Sequence, residues 1–377
     1  MINFFTKILN NVKFFFSSLN ILIDLKNQKP KIIFFSENKS YQKYSKPIID
    51  VFCSKNSEII HYISIDKEDK INNKKVYNYY VNPILINFLF NNIKAENVFL
   101  TLTDLGNNLI KKTKSIDKYI YYFHSPVSTT KNYTPKAFDN YDVIMCNGQF
   151  QIDEIRKREF LKKIPKKKLI SSGYFYFDYL IKNINYKVNS NSILIAPSWN
   201  KNLKNFINEN FIELINQLIQ KKYKVIFRPH PEHFKRSKNF LENIRNKFQK
   251  DSFEFDNNVN NIKSMENAKC LITDSSGIAI EYMVALKKPV LYLNEHDKIH
   301  NSEFDDYSSL KTIDQKIKDK FGYLFQVKDF NQIDIIINNS EKKFLENLPK
   351  LDQFIKDNYF NIGNTENFLY SNSKEII

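Results

Sequence analysis

Glycine is scarce in this sequence, with 6 among 377 residues, and no glycine-rich nucleotide loop occurs in it. Neither GxGxxG, which opens the dinucleotide site of nicotinamide dehydrogenases, nor GxxxxGK[ST], the phosphate loop of P-loop NTPases, is present. Both of these nucleotide-binding classes are therefore disfavoured. Because glycine is so rare, the one at Gly277, beside Asp274 and two serines, requires a specific structural reason.

Cysteine is rarer still, and Cys53, Cys146 and Cys270 form no CxxC pair. Cys146 and Cys270 lie inside apolar runs, so we expect buried thiols in a reducing compartment. No HExxH spacing is present, and the acidic stretch EFDDY at 303–307 is too weak to indicate a divalent cation. The sequence therefore predicts neither a metal site nor a cofactor.

Acidic residues are outnumbered, with 41 Asp and Glu against 57 Lys and Arg, which gives a formal net charge of +16. A chain of this charge is expected to work among anions, such as nucleotide diphosphates, polyanionic glycans or an acidic membrane face. Part of the charge lies at 156–170, RKREFLKKIPKKKLI, which is either a solvated helix face or a functional basic patch. No zinc-knuckle, RNP-like or helix-turn-helix pattern accompanies it, so nucleic acid is not expected as a partner.

The N-terminal segment lacks an apolar run long enough to span a membrane, because lysines and asparagines interrupt it. Residues 1–23 instead have the spacing of an amphipathic helix. Two interpretations stay open, a helix lying on an anionic membrane surface and a helix packed on the first domain. No secretory signal is evident, so we expect a cytoplasmic protein, which the first interpretation would place peripherally on the inner face of the cell membrane. The predicted apolar face holds Phe5, Ile8, Leu9, Val12, Phe15, Phe16, Leu19, Leu22 and Ile23, with Thr6, Lys7, Asn10, Asn11 and Ser18 opposite.

Short apolar runs alternate with segments of helical spacing from Pro30 onward. Such alternation favours a parallel sheet covered by helices on both faces. Residues 24–185 are therefore predicted to form a Rossmann-like α/β domain. Its predicted strands are KIIFF (31–35), EIIHYIS (58–64), NVFLTL (97–102), YIYYFH (119–124), YDVIMC (141–146) and KLISSG (168–173).

A polar stretch at 182–192, KNINYKVNSNS, is typical of a linker, and the alternation restarts beyond it. Residues 190–345 are predicted as a second Rossmann-like domain, and 346–377 as a closing helix with a tail. The carboxyl ends of the two parallel sheets are expected to face one central cleft, where open sheets bind ligands. The predicted strands of this half are ILIAPSW (193–199), KVIFRPH (224–230), FEFD (253–256), KCLITD (269–274) and PVLYLN (289–294).

Polar and reactive side chains gather directly after the predicted strands. The stretch KCLITDSSGIAIEYM places two hydroxyls and a glycine where a strand gives way to a helix, and free amides at a helix start attract phosphate. Glu281 lies about two turns along this helix, within reach of a ribose diol. The alternative is that Asp274 or a serine is only the N-cap. The candidate donor-binding residues are Pro197, Ser198, Arg228, Asp274, Ser275, Ser276, Gly277 and Glu281.

Two histidines at strand ends are the candidate catalytic residues. His230 lies in RPHPEHFK, where Arg228 supplies a planar donor for phosphate oxygens and two prolines stiffen the loop. His124 ends YIYYFH in the other predicted domain. Imidazole titrates close to neutral pH, so these residues suit a base and a phosphate-handling group. His233 is expected at the surface.

Several ordered motifs between residues 118 and 325 resemble the CDP-glycerol glycerophosphotransferase family, which includes teichoic-acid polymerases and primases. FHSP resembles the family's His-Gly segment, SGYFYFD its Gly…Asp segment, and ILIAPSW its Ala-Pro-Thr-Trp strand end. RPHP is identical, and ITDSSGIAIEYMVALKKPVLYL resembles the Asp-x-Ser-Ser helix with its downstream acid and Lys-Pro strand. Residues 1–110 contain no motif of this kind.

The resemblance implies a GT-B fold, peripheral membrane association, and transfer of glycerol phosphate from CDP-glycerol to an acceptor hydroxyl with release of CMP. It implies His124 as general base and His230 as the group that stabilises the transferred phosphate. The serine pair would hold the donor phosphates, Asp274 and Glu281 would orient the donor, and Arg228 would add charge. The implied partners are a CDP-linked polyol donor and a polysaccharide or lipid-linked acceptor.

The sequence departs from the family at two motifs. Ser125 replaces the glycine after the first histidine, and Phe175 and Tyr176 replace the Pro-Arg of the Gly-x-Pro-Arg segment. Two alternatives therefore stay open. One is a GT-B glycosyltransferase or nucleotide-sugar 2-epimerase, and the other is a non-catalytic nucleotide-binding subunit of a polysaccharide assembly.

Overall fold

A computed structural model describes residues 2–55, 58–106, 109–185, 190–199, 209–248, 251–293 and 298–377, with side chains from residue 15 onward. The chain divides into two compact units. Unit 1 comprises Met1–His124, Tyr133–Tyr176 and Phe360–Ile377, and unit 2 comprises Ser125–Asn132 and Phe177–Tyr359.

Unit 1 contains a seven-stranded parallel sheet. Every residue of the first two strands is buried, as expected for apolar runs covered on both faces. The strands are β1 (Ile32–Ser36), β2 (Ile60–Ser64), β3 (Val76–Tyr80), β4 (Ala95–Leu100), β5 (Ile116–Tyr122), β6 (Val143–Met145) and β7 (Lys168–Ile170), in the order β3-β2-β1-β4-β5-β6-β7.

Unit 2 contains a six-stranded parallel sheet that repeats the order of the first six strands of unit 1. The order reverses between the first and fourth strand of each sheet, and ligands bind such sheets beyond the carboxyl ends at that point. The strands are β8 (Ser192–Ile195), β9 (Lys224–Phe227), β10 (Phe253–Phe255), β11 (Ala268–Thr273), β12 (Val290–Leu293) and β13 (Tyr323–Phe325), in the order β10-β9-β8-β11-β12-β13.

Helices connect the strands and cover the sheets. They are α1 (Ile2–Gln28), α2 (Gln42–Lys55), α3 (Ile86–Asn92), α4 (Thr129–Asn132), α5 (Gln149–Lys162), α6 (Phe175–Asn183), α7 (Glu209–Gln220), α8 (Pro231–Arg236), α9 (Lys238–Lys247), α10 (Ile262–Glu266), α11 (Ile278–Leu286), α12 (Ile313–Phe321), α13 (Ile333–Asn358) and α14 (Thr365–Ile376).

The α/β class, the parallel sheets and all eleven predicted strands are confirmed. The prediction missed β3 and β13, which both lie at sheet edges. An edge strand is covered less completely, and the β3 sequence VYNYY lacks a continuous apolar run. In β3 only Val76 is buried, and β13 is three residues long.

The division of the chain differs from the predicted boundaries in three places. The main boundary lies between Tyr176 and Phe177, not at residues 185–190, so the start of the predicted linker belongs to unit 2. The segment Ser125–Asn132 belongs to unit 2, although it directly follows β5 of unit 1. The C-terminal end does not form a separate element from residue 346, because α13 continues to Asn358 and α14 packs in unit 1. Leu369 and Ile376 of α14 are buried in the core of unit 1.

The N-terminal helix exists, but its described side chains do not follow the predicted face. Ser18, predicted on the polar side, is buried, and its hydroxyl accepts a hydrogen bond from the Asn82 amide at 3.0 Å. Phe16 and Ile23, predicted on the apolar face, are 60% and 58% exposed. Thus the helix contacts unit 1 through Ser18 and leaves large apolar side chains uncovered. Among the described residues, no helix combines the length and apolarity needed to cross a membrane.

Candidate active site

The hydroxyl-rich turn between β11 and α11 is half-buried. The N-cap of α11 is Gly277, and no side chain caps the helix, so neither Asp274 nor a serine has the N-cap role. Three amides of the first turn are already used, because Ala279 N–H donates to Ser276 O at 3.0 Å, and the Ile280 and Glu281 N–H groups donate to Gly277 O at 3.1 and 3.3 Å. The serine hydroxyls and the earlier amides are the groups that remain for an anion.

Close approach explains the glycine at position 277. Its φ of −59° suits any residue, so the backbone conformation does not require glycine. A Cβ at this position would instead overlap the hydroxyl of Ser125 and contact Val127 at 3.5 Å. The turn that carries the serine pair is therefore packed directly against the segment that follows His124.

Asp274 holds the ends of two neighbouring strands together. Its carboxylate accepts hydrogen bonds from the Ser198 amide at 2.8 Å and the Ser198 hydroxyl at 2.7 Å. Ser198 follows β8 and is buried, and Asp274 follows β11, so the pair lies where the strand order of unit 2 reverses. Both carboxylate oxygens of Asp274 accept from Ser198. Asp274 thus positions the turn that contains Ser275 and Ser276, which we call the serine turn. Pro197, just before Ser198, is buried.

A cavity of about 460 Å³, part of it open to solvent, lies beside the serine turn. Two lysines line it: Lys131, which is 6% exposed, and Lys318 of α12. The Lys318 ammonium lies 5.6 Å from the centre of the Tyr292 ring. Hydroxyls and cations therefore converge on one space, which suits a phosphorylated ligand. The cavity is lined by Lys131, Asn132, Asp274, Ser275, Ser276, Ile280, Tyr292, Asp314, Gln315 and Lys318.

Asp314 fixes the segment that supplies Lys131. Its carboxylate accepts hydrogen bonds from the Ser128 amide at 2.9 Å and the Asn132 amide group at 3.0 Å. The Ser128 hydroxyl in turn accepts a hydrogen bond from the Ile313 amide at 2.9 Å. Burial raises the pKa of Asp314, and these hydrogen bonds and Lys131 oppose that shift. Sequence reasoning missed Lys131 and Asp314, because neither directly follows a predicted strand or belongs to a family motif.

The RPHP segment is held by its own hydrogen bonds. The Arg228 guanidinium donates to Asp256 at 2.5 Å and to the Asn258 carbonyl at 2.7 Å, so it fixes the loop after β10. His230 is the N-cap of α8, and its Nδ1 accepts a hydrogen bond from the Glu232 amide at 3.2 Å. A neutral ring that accepts at Nδ1 carries its proton on Nε2 and can donate from there.

His233, expected at the surface, is fully buried. Its Nε2 lies 3.2 Å from the Ser198 carbonyl oxygen, and burial lowers its pKa. His233 therefore supports the loop after β8 from within. Its ring also contacts that of His230 edge to face at 6.5 Å. His233 lies in the first turn of α8, and its side chain faces the interior. The prediction treated RPHPEHFK as a loop and therefore expected His233 at the surface.

His124 lies in an aromatic environment in unit 1. Its half-buried ring contacts Tyr41, Tyr44 and Tyr133 at centroid distances of 5.4, 6.1 and 6.2 Å. Burial, with a smaller contribution from the positive charge of Lys43, lowers the pKa of His124 to about 4. The ring is therefore neutral at physiological pH. Its Nδ1 atom is buried and has no hydrogen-bond partner among the residues that the structure describes.

The structure also shows the environments of Glu281 and Gly173, two further residues of the predicted motifs. Glu281, predicted about two turns along the helix, is instead in the first turn of α11, because the helix begins only at Ile278. It is 4% exposed, so its carboxylate is buried in the structure. Gly173, in the Gly…Asp segment, has a φ of +81°, and a Cβ there would overlap the Phe360 carbonyl oxygen. The serine turn, Asp274 and Ser198 are brought together within unit 2. The convergence of His124 and His230 on one phosphorus atom stays a prediction.

Comparison with known proteins adds sequence and fold relationships. A family model described as CDP-Glycerol:Poly(glycerophosphate) glycerophosphotransferase matches residues 17–313. No curated protein matches the chain at a significant level.

Several solved structures share the fold. The wall teichoic acid polymerase TagF is 16% identical, with a TM-score of 0.60 over 100% of this chain and 98% of that chain. The UDP-GlcNAc 2-epimerase from Methanocaldococcus jannaschii is 16% identical, with a TM-score of 0.51 over 91% of this chain and 99% of that chain. MnaA from S. aureus, in a co-structure with UDP, is 11% identical, with a TM-score of 0.60 over 92% and 96%. The two parallel-sheet domains therefore have the GT-B type of fold.

Proposed function

The chain belongs to the CDP-glycerol:poly(glycerophosphate) glycerophosphotransferase family, and from this premise we propose that it transfers glycerol phosphate, or a related polyol phosphate, from a CDP-linked donor. The acceptor is a hydroxyl of a surface polysaccharide or teichoic-acid-like polymer, and CMP is the leaving group. The observation that supports this function most directly is the lysine-lined cavity at the serine turn of α11.

The donor diphosphate is proposed to occupy that cavity. It carries two negative charges, which Lys131 and Lys318 balance, while the hydroxyls of Ser275 and Ser276 and the start of α11 donate hydrogen bonds. Asp274 contributes by fixing the serine turn against Ser198. We also propose that Arg228 and Glu281 contact the donor. In the structure Arg228 is paired with Asp256 and Glu281 is buried, so each contact would require the side chain to leave its present environment.

The chemical step is a displacement at the phosphorus atom that bears the polyol. The acceptor oxygen forms a new bond to this phosphorus, the bond from phosphorus to the bridging oxygen breaks, and CMP departs with that oxygen. The proton of the acceptor hydroxyl passes to His124, which is neutral because burial lowers its pKa to about 4. His230 donates from Nε2 to a phosphoryl oxygen, since Nδ1 accepts the Glu232 amide.

Release of CMP from CDP-glycerol by the purified full-length protein tests this function. We expect Lys318→Met to raise the KM for CDP-glycerol about tenfold, because it removes a cation from the diphosphate cavity. Lys316→Met is the matched control, since Lys316 is on the same helix but does not line the cavity. Release of a nucleoside diphosphate from a nucleotide sugar would show a glycosyltransferase instead. Full turnover by the His124→Ala and His230→Ala variants would overturn the assigned roles.

Peripheral membrane association is proposed for the exposed apolar side chains of the N-terminal region. Phe16 and Ile23 of α1 are exposed. Ile84, just before α3, and Phe88, within α3, are exposed as well, and α3 contacts α1. The net charge of +16 would add attraction to an anionic leaflet. We expect cosedimentation with vesicles that contain phosphatidylglycerol, and loss of binding in a Phe16→Ser and Ile23→Ser double variant. Equal binding of this variant would contradict the proposal, and Leu345→Ser, an exposed leucine on α13, is the control.

A further inference from the structure

The His124 environment contains an unusual concentration of tyrosine rings. Besides the three rings that touch His124, Tyr44 contacts Tyr174 at 6.2 Å and Tyr176 at 5.1 Å between ring centres. We call Tyr41, Tyr44, Tyr174 and Tyr176 the tyrosine cluster. It belongs entirely to unit 1 and lies beyond the carboxyl ends of β5 and β7, where parallel sheets bind ligands.

Lys43 adds a cation to this cluster. Its ammonium lies 4.9 Å from the centre of the Tyr44 ring and 4.8 Å from that of Tyr176. Position 176 is where the resemblance to the family places arginine, and this chain has tyrosine there. Lys43, from α2, therefore supplies positive charge over the residue that replaces that arginine.

Access to the cluster is partial. Tyr41, Lys43 and Tyr44 are half-buried, whereas Tyr174 and Tyr176 are 2% and 1% exposed. A cavity of about 230 Å³, partly open to solvent, is lined by Tyr44, Tyr174 and Tyr176 together with Asn147 and Ser172. The outer rings thus offer an apolar face with polar groups at its margin. Such a surface suits a sugar ring, which presents C–H groups on its faces and hydroxyls at its edge.

We propose that the tyrosine cluster and Lys43 form the acceptor subsite of this enzyme, and that it takes a sugar ring bearing a phosphate group. The ring packs on Tyr41 and Tyr44, and the phosphate pairs with Lys43, so that a hydroxyl of the ring is presented to His124. The inference rests on the proposed function, because it assigns the acceptor side of that reaction. A bare polyol phosphate chain would gain little from the tyrosine rings.

Binding of three small probes to the full chain tests the inference without requiring turnover. The probes are glucose phosphate, which has both ring and phosphate, methyl glucoside, which has only the ring, and glycerol phosphate, which has only the phosphate. Saturation-transfer NMR reports both affinity and the protons that touch the protein. We expect glucose phosphate to bind at least about fivefold more tightly than either other probe, with the largest transfer at its ring C–H protons.

Substitutions separate the two contributions. Lys43→Met should reduce glucose phosphate to the affinity of methyl glucoside, and Lys43→Arg should restore it. Tyr44→Leu should reduce glucose phosphate to the affinity of glycerol phosphate, and Tyr41→Leu is the second variant if the first does not fold. Lys55 and Tyr370 provide the matched control, because the Lys55 ammonium lies 4.4 Å over the Tyr370 ring elsewhere in unit 1. Lys55→Met should leave all three affinities unchanged.

Several results would overturn the inference. Equal binding of glycerol phosphate and glucose phosphate would show that the ring contributes nothing. Equal losses in Lys43→Met and Lys55→Met would show a general charge effect. A loss in Lys318→Met but not in Lys43→Met would place glucose phosphate in the donor cavity, which refutes the acceptor subsite while leaving the proposed function intact. Conversely, if the protein does not use CDP-glycerol but its binding of the probes depends on Lys43, only the proposed function is refuted.

Discussion

The two hydrogen bonds between Ser198 and Asp274 provide a direct test of how unit 2 forms the proposed donor site. The two residues lie 76 positions apart in sequence, yet the Asp274 carboxylate accepts from both the amide and the hydroxyl of Ser198. Removing the carboxylate with Asp274→Ala breaks both hydrogen bonds and leaves a buried amide without that partner. Removing only the hydroxyl with Ser198→Ala breaks one bond and keeps the other.

The expected magnitudes follow from the charge on the acceptor. A hydrogen bond to a charged group contributes about 1.5–3 kcal/mol, and an unpaired buried donor adds a penalty of about 1–3 kcal/mol. Asp274→Ala should therefore cost about 3–5 kcal/mol, and Ser198→Ala about 1.5–3 kcal/mol. Once the carboxylate is gone, Ser198→Ala should cost little. The coupling between the two changes is then nearly the full cost of Ser198→Ala alone, about 1.5–3 kcal/mol.

Hydrogen exchange of the β8 and β11 amides is the appropriate assay, because a chain with two units need not unfold in a single step. It gives local free energies of opening for the wild type, both single variants and the double variant. Ser302→Ala, an exposed serine in unit 2, is the control and should have no effect. Additive losses, with a coupling below about 0.3 kcal/mol, would refute the view that the Ser198 hydroxyl holds Asp274.

Three further predictions concern unit 1. Gly173→Ala should destabilise it by about 2–4 kcal/mol, measured by hydrogen exchange of β7, because its φ is positive and a Cβ would overlap the Phe360 carbonyl; an unchanged stability would contradict this. Because the pKa of His124 is about 4, the acid limb of the pH profile of kcat/KM should lie below about pH 5. Lys43→Met should move this limb to higher pH, because it removes a positive charge that lowers the pKa of His124. The folded pKa of His124 is below its ordinary value of 6.5, so the unfolded chain protonates first on acidification. The stability that depends on the neutral ring is complete above about pH 6.5 and is lost as the pH falls towards 4, and His124→Gln should flatten this part of the pH profile of unfolding.

The predicted convergence of polar side chains at strand ends is confirmed only within unit 2. Asp274, Ser275, Ser276 and Ser198 come together because parallel strands end at one edge of a sheet and the strand order reverses between β8 and β11. The interpretation of Asp274 as a possible helix cap is wrong, since Gly277 is the N-cap and Asp274 binds Ser198. A local pattern identifies a residue that can accept hydrogen bonds, but it does not identify the donor.

Sequence alone determined the alternation of strands and helices, since apolar runs and helical spacing reflect which residues each local element buries. It also determined the family, because ordered motifs such as RPHP and DSSG record the chemistry of the strand ends. Tertiary structure alone decided which side of α1 is buried, with Ser18 inward and Phe16 outward. It also decided that Ser125–Asn132 places Lys131 at the cavity beside Ser275 and Ser276, through the hydrogen bond from the Ser128 amide to Asp314, 186 positions away. Such contacts depend on which surfaces meet when distant segments pack, and the periodicity of a single segment contains no information about its partner.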